Sequence, residues 1–318
     1  MAPTDAQTPR PQARNAPPLA RAAGWRRTAL EWSPWRDRAG RLSPLRAACF
    51  AVSILPGLWL ALALGGVFGP AALGAEPIHQ AEHLTGLWAV RFLLASLALT
   101  PLRLITGWGR LAQVRRLIGL TAFAYAAVHF GLYIVEQQYH LLRVASEIVQ
   151  RLYLAIGFTA LLALGALSAT SFDRAIRRMG ANWRRLHRLS YVIALLALAH
   201  FALQEKLDVA EPAFLFGLFA ALMLHRLFDG RGFPELRILG VAILAAALTA
   251  GVEWTWYQLL TGLPADRILA ANLDLAARRP AVLVLVATAL PVVVPLARRA
   301  LALARPAPAA PEARDPVA

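Results

Sequence analysis

Residues 187–205 read HRLSYVIALLALAHFALQE. From Val192 to Leu203 the sole polar side chain is His200. As a helix rising about 1.5 Å per residue, this stretch covers roughly the 30 Å hydrocarbon core of a bilayer. The run is continuously apolar rather than alternating, so it reads as a spanning helix and not as a barrel strand. It also carries two histidines thirteen positions apart, His187 at its entrance and His200 deep inside.

The same reading extends in both directions. Eight apolar runs stand out, at about 47–66, 84–105, 117–136, 150–169, 188–204, 213–228, 238–259 and 281–298. The chain of 318 residues is 58% hydrophobic and only 16% charged, against roughly 25% charged in soluble domains. Its mean hydropathy is +0.52. These features predict an all-α polytopic membrane protein: a six-helix core over 46–228 and two additional C-terminal transmembrane helices over 229–303. Residues 1–45 read as a disordered basic tail and 304–318 as a second disordered tail. Trp25, Trp32 and Trp35 lie among arginines, as in a segment resting on the membrane surface or a solvated linker. No internal repeat stands out, and no cleavable signal peptide is expected.

The net charge of +15 reflects topology rather than nucleic-acid binding. Arginine is dense in the N-terminal tail, in 103–116, 174–188 and 226–237, and after 297; it is sparse in 67–82 and 204–212. Both termini are therefore expected in the cytoplasm. Cys49 is the only cysteine, which excludes an intrachain disulfide and cysteine-ligated metal clusters. There is no Cys-x-x-Cys-His, so any haem is held non-covalently. Gly-rich dinucleotide loops and Walker motifs are also missing.

The chemistry is expected from the seven histidines. His129 lies thirteen residues past Arg116 and His200 twelve past Arg188, so on parallel spans the two share a depth, roughly 20 Å in. An imidazole buried in hydrocarbon costs several kcal/mol without a partner. Each of the two can bond a neighbouring carbonyl, or both can share the iron of one haem in a Leu/Ala-lined slot. His187 suits a second centre lower in the membrane, or a flavin, a quinone or a haem propionate, but span 3 offers only Arg115 and Arg116 at that depth. His225 is the other histidine on the arginine-rich side. His83 opens span 2, beside an outer haem or at a docking surface. His79 and His140 read as plain external loop residues. Arg91, about two turns inside span 2, either snorkels or meets an anion such as a haem propionate or a flavin phosphate. Glu253 is expected near the outer face of the last helix pair. The alternative readings are another haem electron carrier, such as a ferric-chelate or superoxide-generating reductase, or a haem-free transporter or scaffold.

An ordered set of segments carries a resemblance. Leu55-Pro56-Gly57-Leu58-Trp59-Leu60 lies in span 1, followed by Gly74-Ala75-Glu76-Pro77 and His83-Leu84-Thr85-Gly86. Thr100-Pro101-Leu102 closes span 2 and Arg115-Arg116-Leu117-Ile118-Gly119-Leu120 opens span 3, with His129 after it. Trp183-Arg184-Arg185-Leu186-His187, Tyr191 and His200 complete the set. Over about 45–228 the chain resembles the MsrQ (YedZ) family, haem-binding membrane subunits in the ferric-reductase-like transmembrane superfamily. The resemblance implies one or two b-type haems, with His129 and His200 as axial ligands and His187 as a further functional histidine. It also implies flavin mononucleotide as a second cofactor and the bacterial inner membrane as the location. Electrons would come from the quinone pool or a cytosolic flavin reductase. They would go to the periplasmic molybdopterin enzyme MsrP, which reduces methionine sulfoxide in proteins. The N-terminal tail and spans 7 and 8 depart from the six-helix family pattern.

Overall fold

The computed structural model describes residues 33–36, 40–230 and 233–303. Of the tails expected over 1–45 and 304–318, residues 1–32, with Trp25 and Trp32, 37–39 and 304–318 lie outside the described residues, and Pro44 and Leu45 already belong to the first helix. Among the described residues, eight helical segments are long and apolar enough to cross a membrane, at the positions the apolar runs predict.

Proline and glycine mark several of the boundaries. Helix α1 (Pro44–Leu64), α2 (Pro77–Thr106), α10 (Pro234–Leu260) and α12 (Pro280–Ala289) each begin on proline, whose missing N–H costs nothing in the first turn. Helix α2 stops at Gly107, which takes the left-handed conformation that glycine tolerates. Helix α3 (Arg115–Glu136) returns antiparallel to α2. A short helix α4 (Leu141–Gln150), which hydropathy did not single out, precedes α5 (Leu152–Ala169). Leu142 and Val149 on α4 are exposed, as suits an amphipathic helix resting on the membrane interface. Two short helices, α6 (Asp173–Met179) and α7 (Ala181–His187), lead into α8 (Leu189–Glu205) and α9 (Ala210–Leu227). After α10 come α11 (Ala265–Leu273), α12 and α13 (Val293–Leu303).

The main core lies between α2, α3, α5, α8 and α9, around Leu97, Ala122, Leu164, Ile193, Ala194 and Leu215. Packing is most extensive between α2 and α3, and α5 pairs with α8. The added helices form a second unit. Ala221 of α9, Val241 and Ala245 of α10 and Val284 of α12 make one apolar cluster. At its centre Gly217 faces Thr249 and Val284 so closely that a Cβ would collide with both side chains. A glycine at the crossing lets three backbones approach, and close packing of this kind drives helix association in lipid. Glu253 is fully buried, accepts from Asn272 Nδ2 at 2.6 Å and is paired with Arg279. Asn272 Oδ1 in turn accepts from the backbone N–H of Ala281, which fixes the start of α12.

The bundle thus has two ends. One is basic, with Arg103, Arg115, Arg184 and Arg298, the last donating to the Ile105 carbonyl at 3.3 Å. The other, where α2 and α9 begin and α3 and α8 finish, carries His79, Glu136 and Glu205.

Candidate cofactor site between two histidines

A cavity of about 630 Å³ opens at the acidic end and runs down between α2, α3, α5 and α8. Its deep walls are apolar: Leu87, Val90, Leu93, Ala160, Leu164 and Ile193. His129 and His200 project into it from α3 and α8. Their ring centroids are 6.3 Å apart and their planes are inclined by 72°.

Each imidazole is oriented the same way. His129 Nδ1 lies 2.8 Å from the carbonyl oxygen of Glu82 on α2, and His200 Nδ1 lies 2.8 Å from the carbonyl oxygen of Tyr153 at the start of α5. A carbonyl only accepts, so Nδ1 carries the proton in both rings and Nε2 keeps its lone pair. That is the tautomer of a metal-ligating histidine with its second nitrogen anchored.

Room for each ring comes from a glycine. A Cβ on Gly86 would sit 2.9 Å from His129 Nδ1, and one on Gly157 would sit 2.7 Å from His200 Nδ1. The two arrangements repeat along the chain. Each histidine follows its carbonyl partner by 47 residues, and Glu82, Gly86 and His129 map onto Tyr153, Gly157 and His200 at a constant offset of 71 (200 less 129). Phe130 and Phe201 keep the same offset. The α2–α3 and α5–α8 pairs therefore repeat one local arrangement, and their two histidine rings lie next to each other. The repeat did not stand out in the sequence.

Two imidazoles from different helices, 6.3 Å apart and each with Nε2 left free, are a donor set that could hold a haem iron. The apolar walls suit a macrocycle, and the cavity's size falls among ligand pockets of about 300–1,000 Å³.

The remaining candidates divide. His83 lines the same cavity, 3.4 Å from Glu205 Oε1. His79, expected in a plain loop, also lines it, with Nδ1 3.0 Å from Glu136 Oε1. His140 stays at the N-terminus of α4, exposed. His187 is elsewhere, stacked on Trp183 at 4.0 Å, with Nδ1 3.1 Å from the Trp183 carbonyl. Its repeat mate at the same offset is Arg116, which is paired with Asp173 at 2.9 Å. The structure does not bring Arg91 to the histidine pair. Arg91 pairs with Glu211 at 2.5 Å, lies over Trp88, and lines a separate apolar cavity of about 500 Å³ between α2, α9 and the Ala287–Pro291 stretch. His225 lines that second cavity.

Residues 85–198 match the family described as the ferric reductase like transmembrane component. Over 156 residues the chain is 47% identical to the protein-methionine-sulfoxide reductase heme-binding subunit MsrQ of Xanthomonas campestris pv. campestris, covering 49% of this chain and 72% of the relative. The chain belongs to the MsrQ family. The MsrQ of Rhodospirillum rubrum is 39% identical over 194 residues, which cover 60% of this chain and 89% of the relative. The MsrQ of Xanthomonas euvesicatoria pv. vesicatoria is 46% identical over 156 residues. No solved structure matches the chain. The matched segment 85–198 stops two residues short of His200 and does not reach α10–α13, so the added helices stand outside it.

Proposed function

We propose that the chain carries electrons across the bacterial inner membrane through one b-type haem clamped by His129 and His200. The carrying observation is the facing pair of imidazoles, 6.3 Å apart and each anchored through Nδ1. Haem bound there would supply one-electron exchange between ferric and ferrous iron. The Glu82 and Tyr153 carbonyls fix the two rings, the apolar walls keep water from the macrocycle, and the acidic mouth leaves one edge open to a partner. One haem rather than two is the reading favoured by Arg116, the residue at the repeat position of His187, where a second haem held the same way would need an imidazole.

By the positive-inside rule the basic end faces the cytoplasm, with both termini, and the cavity mouth faces the periplasm. Electrons enter from quinol or a cytosolic flavin donor. They leave at the mouth toward a periplasmic methionine-sulfoxide reductase of the MsrP type; the relatives are heme-binding subunits of a protein-methionine-sulfoxide reductase. The chain is then the electron-transfer subunit and not the enzyme that reduces sulfoxide. Residues 46–228 hold the haem, and 229–303 form the added pair of spans.

The test is a reduced-minus-oxidised visible spectrum of the detergent-purified chain, with a haem count. A b-type spectrum with one haem per chain, lost in both His129→Ala and His200→Ala, is the expected result. A colourless protein after expression with ample haem would overturn the reading.

A further inference from the structure

Lys206 is the only lysine in the chain and it stands six residues after His200. Its backbone has φ +54° and ψ −66°, and the N–H of Leu207 reaches back to the Glu205 carbonyl at 2.6 Å. That is a γ-turn of the rare, strained hand. A non-glycine residue persists in such a conformation only where its surroundings hold it, and such outliers gather at binding sites.

The holding is done by the added helices. Trp256 Nε1–H of α10 donates to the Lys206 carbonyl at 3.1 Å, and the Tyr257 hydroxyl donates to the Leu207 carbonyl at 3.0 Å. Val209, next along, is buried with Tyr257 and with Ala265 of α11. Asp208 Oδ1 accepts from the N–H of Ala210 at 3.2 Å and starts α9. The turn between α8 and α9 is thus clamped from outside the six-helix core.

The clamp places Lys206 in the mouth of the histidine cavity. That mouth is otherwise acidic, with Glu82, Glu136, Glu147 and Glu205. Lys206, which is exposed, and Arg151 are the lysine and arginine residues that line it. Arg151 is already committed, to the Tyr153 hydroxyl at 3.0 Å and to Glu147 at 3.6 Å. The Lys206 ammonium has no hydrogen bond or ion pair among the described residues. A haem seated between His129 and His200 carries its two carboxylates on one edge. The deep end of the cavity is apolar, so that edge belongs at the mouth, among the glutamates that line it.

The geometry points to Lys206 as the cation that receives a haem propionate, with Trp256 and Tyr257 of the added helices as the residues that position it. This rests on the haem reading above. It gives the added pair of spans a task at the cofactor site, and it replaces Arg91 in the role of propionate partner.

The test is an equilibrium redox titration of haem absorbance in the full chain, with resonance Raman of the propionate bending band and haem retention on gel filtration. A cation beside the propionate favours the reduced, less positive haem, so Lys206→Gln is expected to lower the midpoint potential, shift the propionate band and lose haem several-fold faster. Lys206→Arg should stay near the wild type. Trp256→Phe with Tyr257→Phe should move the midpoint the same way, and the triple variant with Lys206→Gln should add little, because coupled residues are not additive. An unchanged midpoint and propionate band in Lys206→Gln would overturn the assignment while leaving the haem reading intact. A full, additive shift in the triple variant would overturn the positioning role. A wild type that binds no haem would instead bring down the proposed function itself.

Discussion

Replacing Gly157 by alanine tests the site without touching a ligand. The new Cβ would lie 2.7, 2.8 and 2.9 Å from Nδ1, Cε1 and Cγ of His200. Ordinary contact needs about 3.5–4.0 Å, so the ring must retreat by roughly 0.8 Å. Gly157 and the Tyr153 carbonyl sit on the same helix, α5, so a ring that moves off one also leaves the other. The 2.8 Å hydrogen bond would then stretch toward about 3.6 Å, where it no longer counts as one. Losing it costs about 0.5–1.5 kcal/mol, and overpacking costs about 1–3 kcal/mol. A combined penalty of about 2 kcal/mol weakens haem binding roughly 30-fold. Gly86→Ala should act the same way on His129 but less strongly, since its Cβ meets the ring at 2.9, 3.0 and 3.5 Å. The assay is titration of haem into the haem-depleted protein in detergent, followed at the b-type absorbance, with thermal melting to show that each variant folds. If Gly157→Ala takes up haem with wild-type affinity and spectrum, the packing argument for paired ligation fails.

Other consequences can be checked with the same preparation. His187→Ala should keep both the haem-to-protein ratio and the b-type spectrum; loss of half the absorbance would show a second haem at the basic end. Arg279→Ala leaves the Glu253 carboxylate fully buried with only Asn272 beside it, and breaking a buried pair in this way costs about 3–5 kcal/mol. Glu253→Ala should cost less, because Arg279 is partly exposed, and melting temperatures in that order would support the reading while the reverse order would refute it. At the cavity mouth the Tyr133 hydroxyl donates to Glu147, and with Arg143 and Arg151 it holds that carboxyl below the usual carboxylate range. A depressed carboxyl stabilises the fold above its ordinary pKa, and the contribution is lost as pH falls through the folded value. Melting temperatures of wild type and Glu147→Gln should therefore differ at neutral pH and converge in acid; a constant gap would rule out this linkage.

The spans were legible because a bilayer leaves a helix few alternatives: long apolar runs must satisfy their own backbone, and the observed helices sit where those runs predict. His129 and His200 were legible because depth can be counted from the arginines at the basic end. Facing could not be counted. Val90 and Arg91 are neighbours on α2, yet Val90 lines the histidine cavity and Arg91 the apolar one behind it, since successive residues on a helix point about 100° apart. Only packing says which face meets which partner. Helix α4 escaped for a different reason: its ten residues carry Arg143 and Glu147 and are too short and polar to read as a span. His79 looked like loop because nothing in its own neighbourhood points to Glu136, 57 residues away.

The glycines show why the repeat was hidden. A spacing of 43 residues from Gly86 to His129 means nothing until α2 and α3 are paired side by side, and the same holds for Gly157 and His200. Once both hairpins are seen, the offset of 71 turns scattered residues into two copies of one device: a glycine that makes room, a carbonyl one turn earlier that orients, and an imidazole that faces its twin. The same offset carries His187 onto Arg116, and there the two copies differ. Arg116 faces Asp173 and Phe172, whereas His187 stacks on Trp183. In the proposed one-haem reading, two ligands on one iron need a histidine from both copies, and at this pair only one copy supplies it.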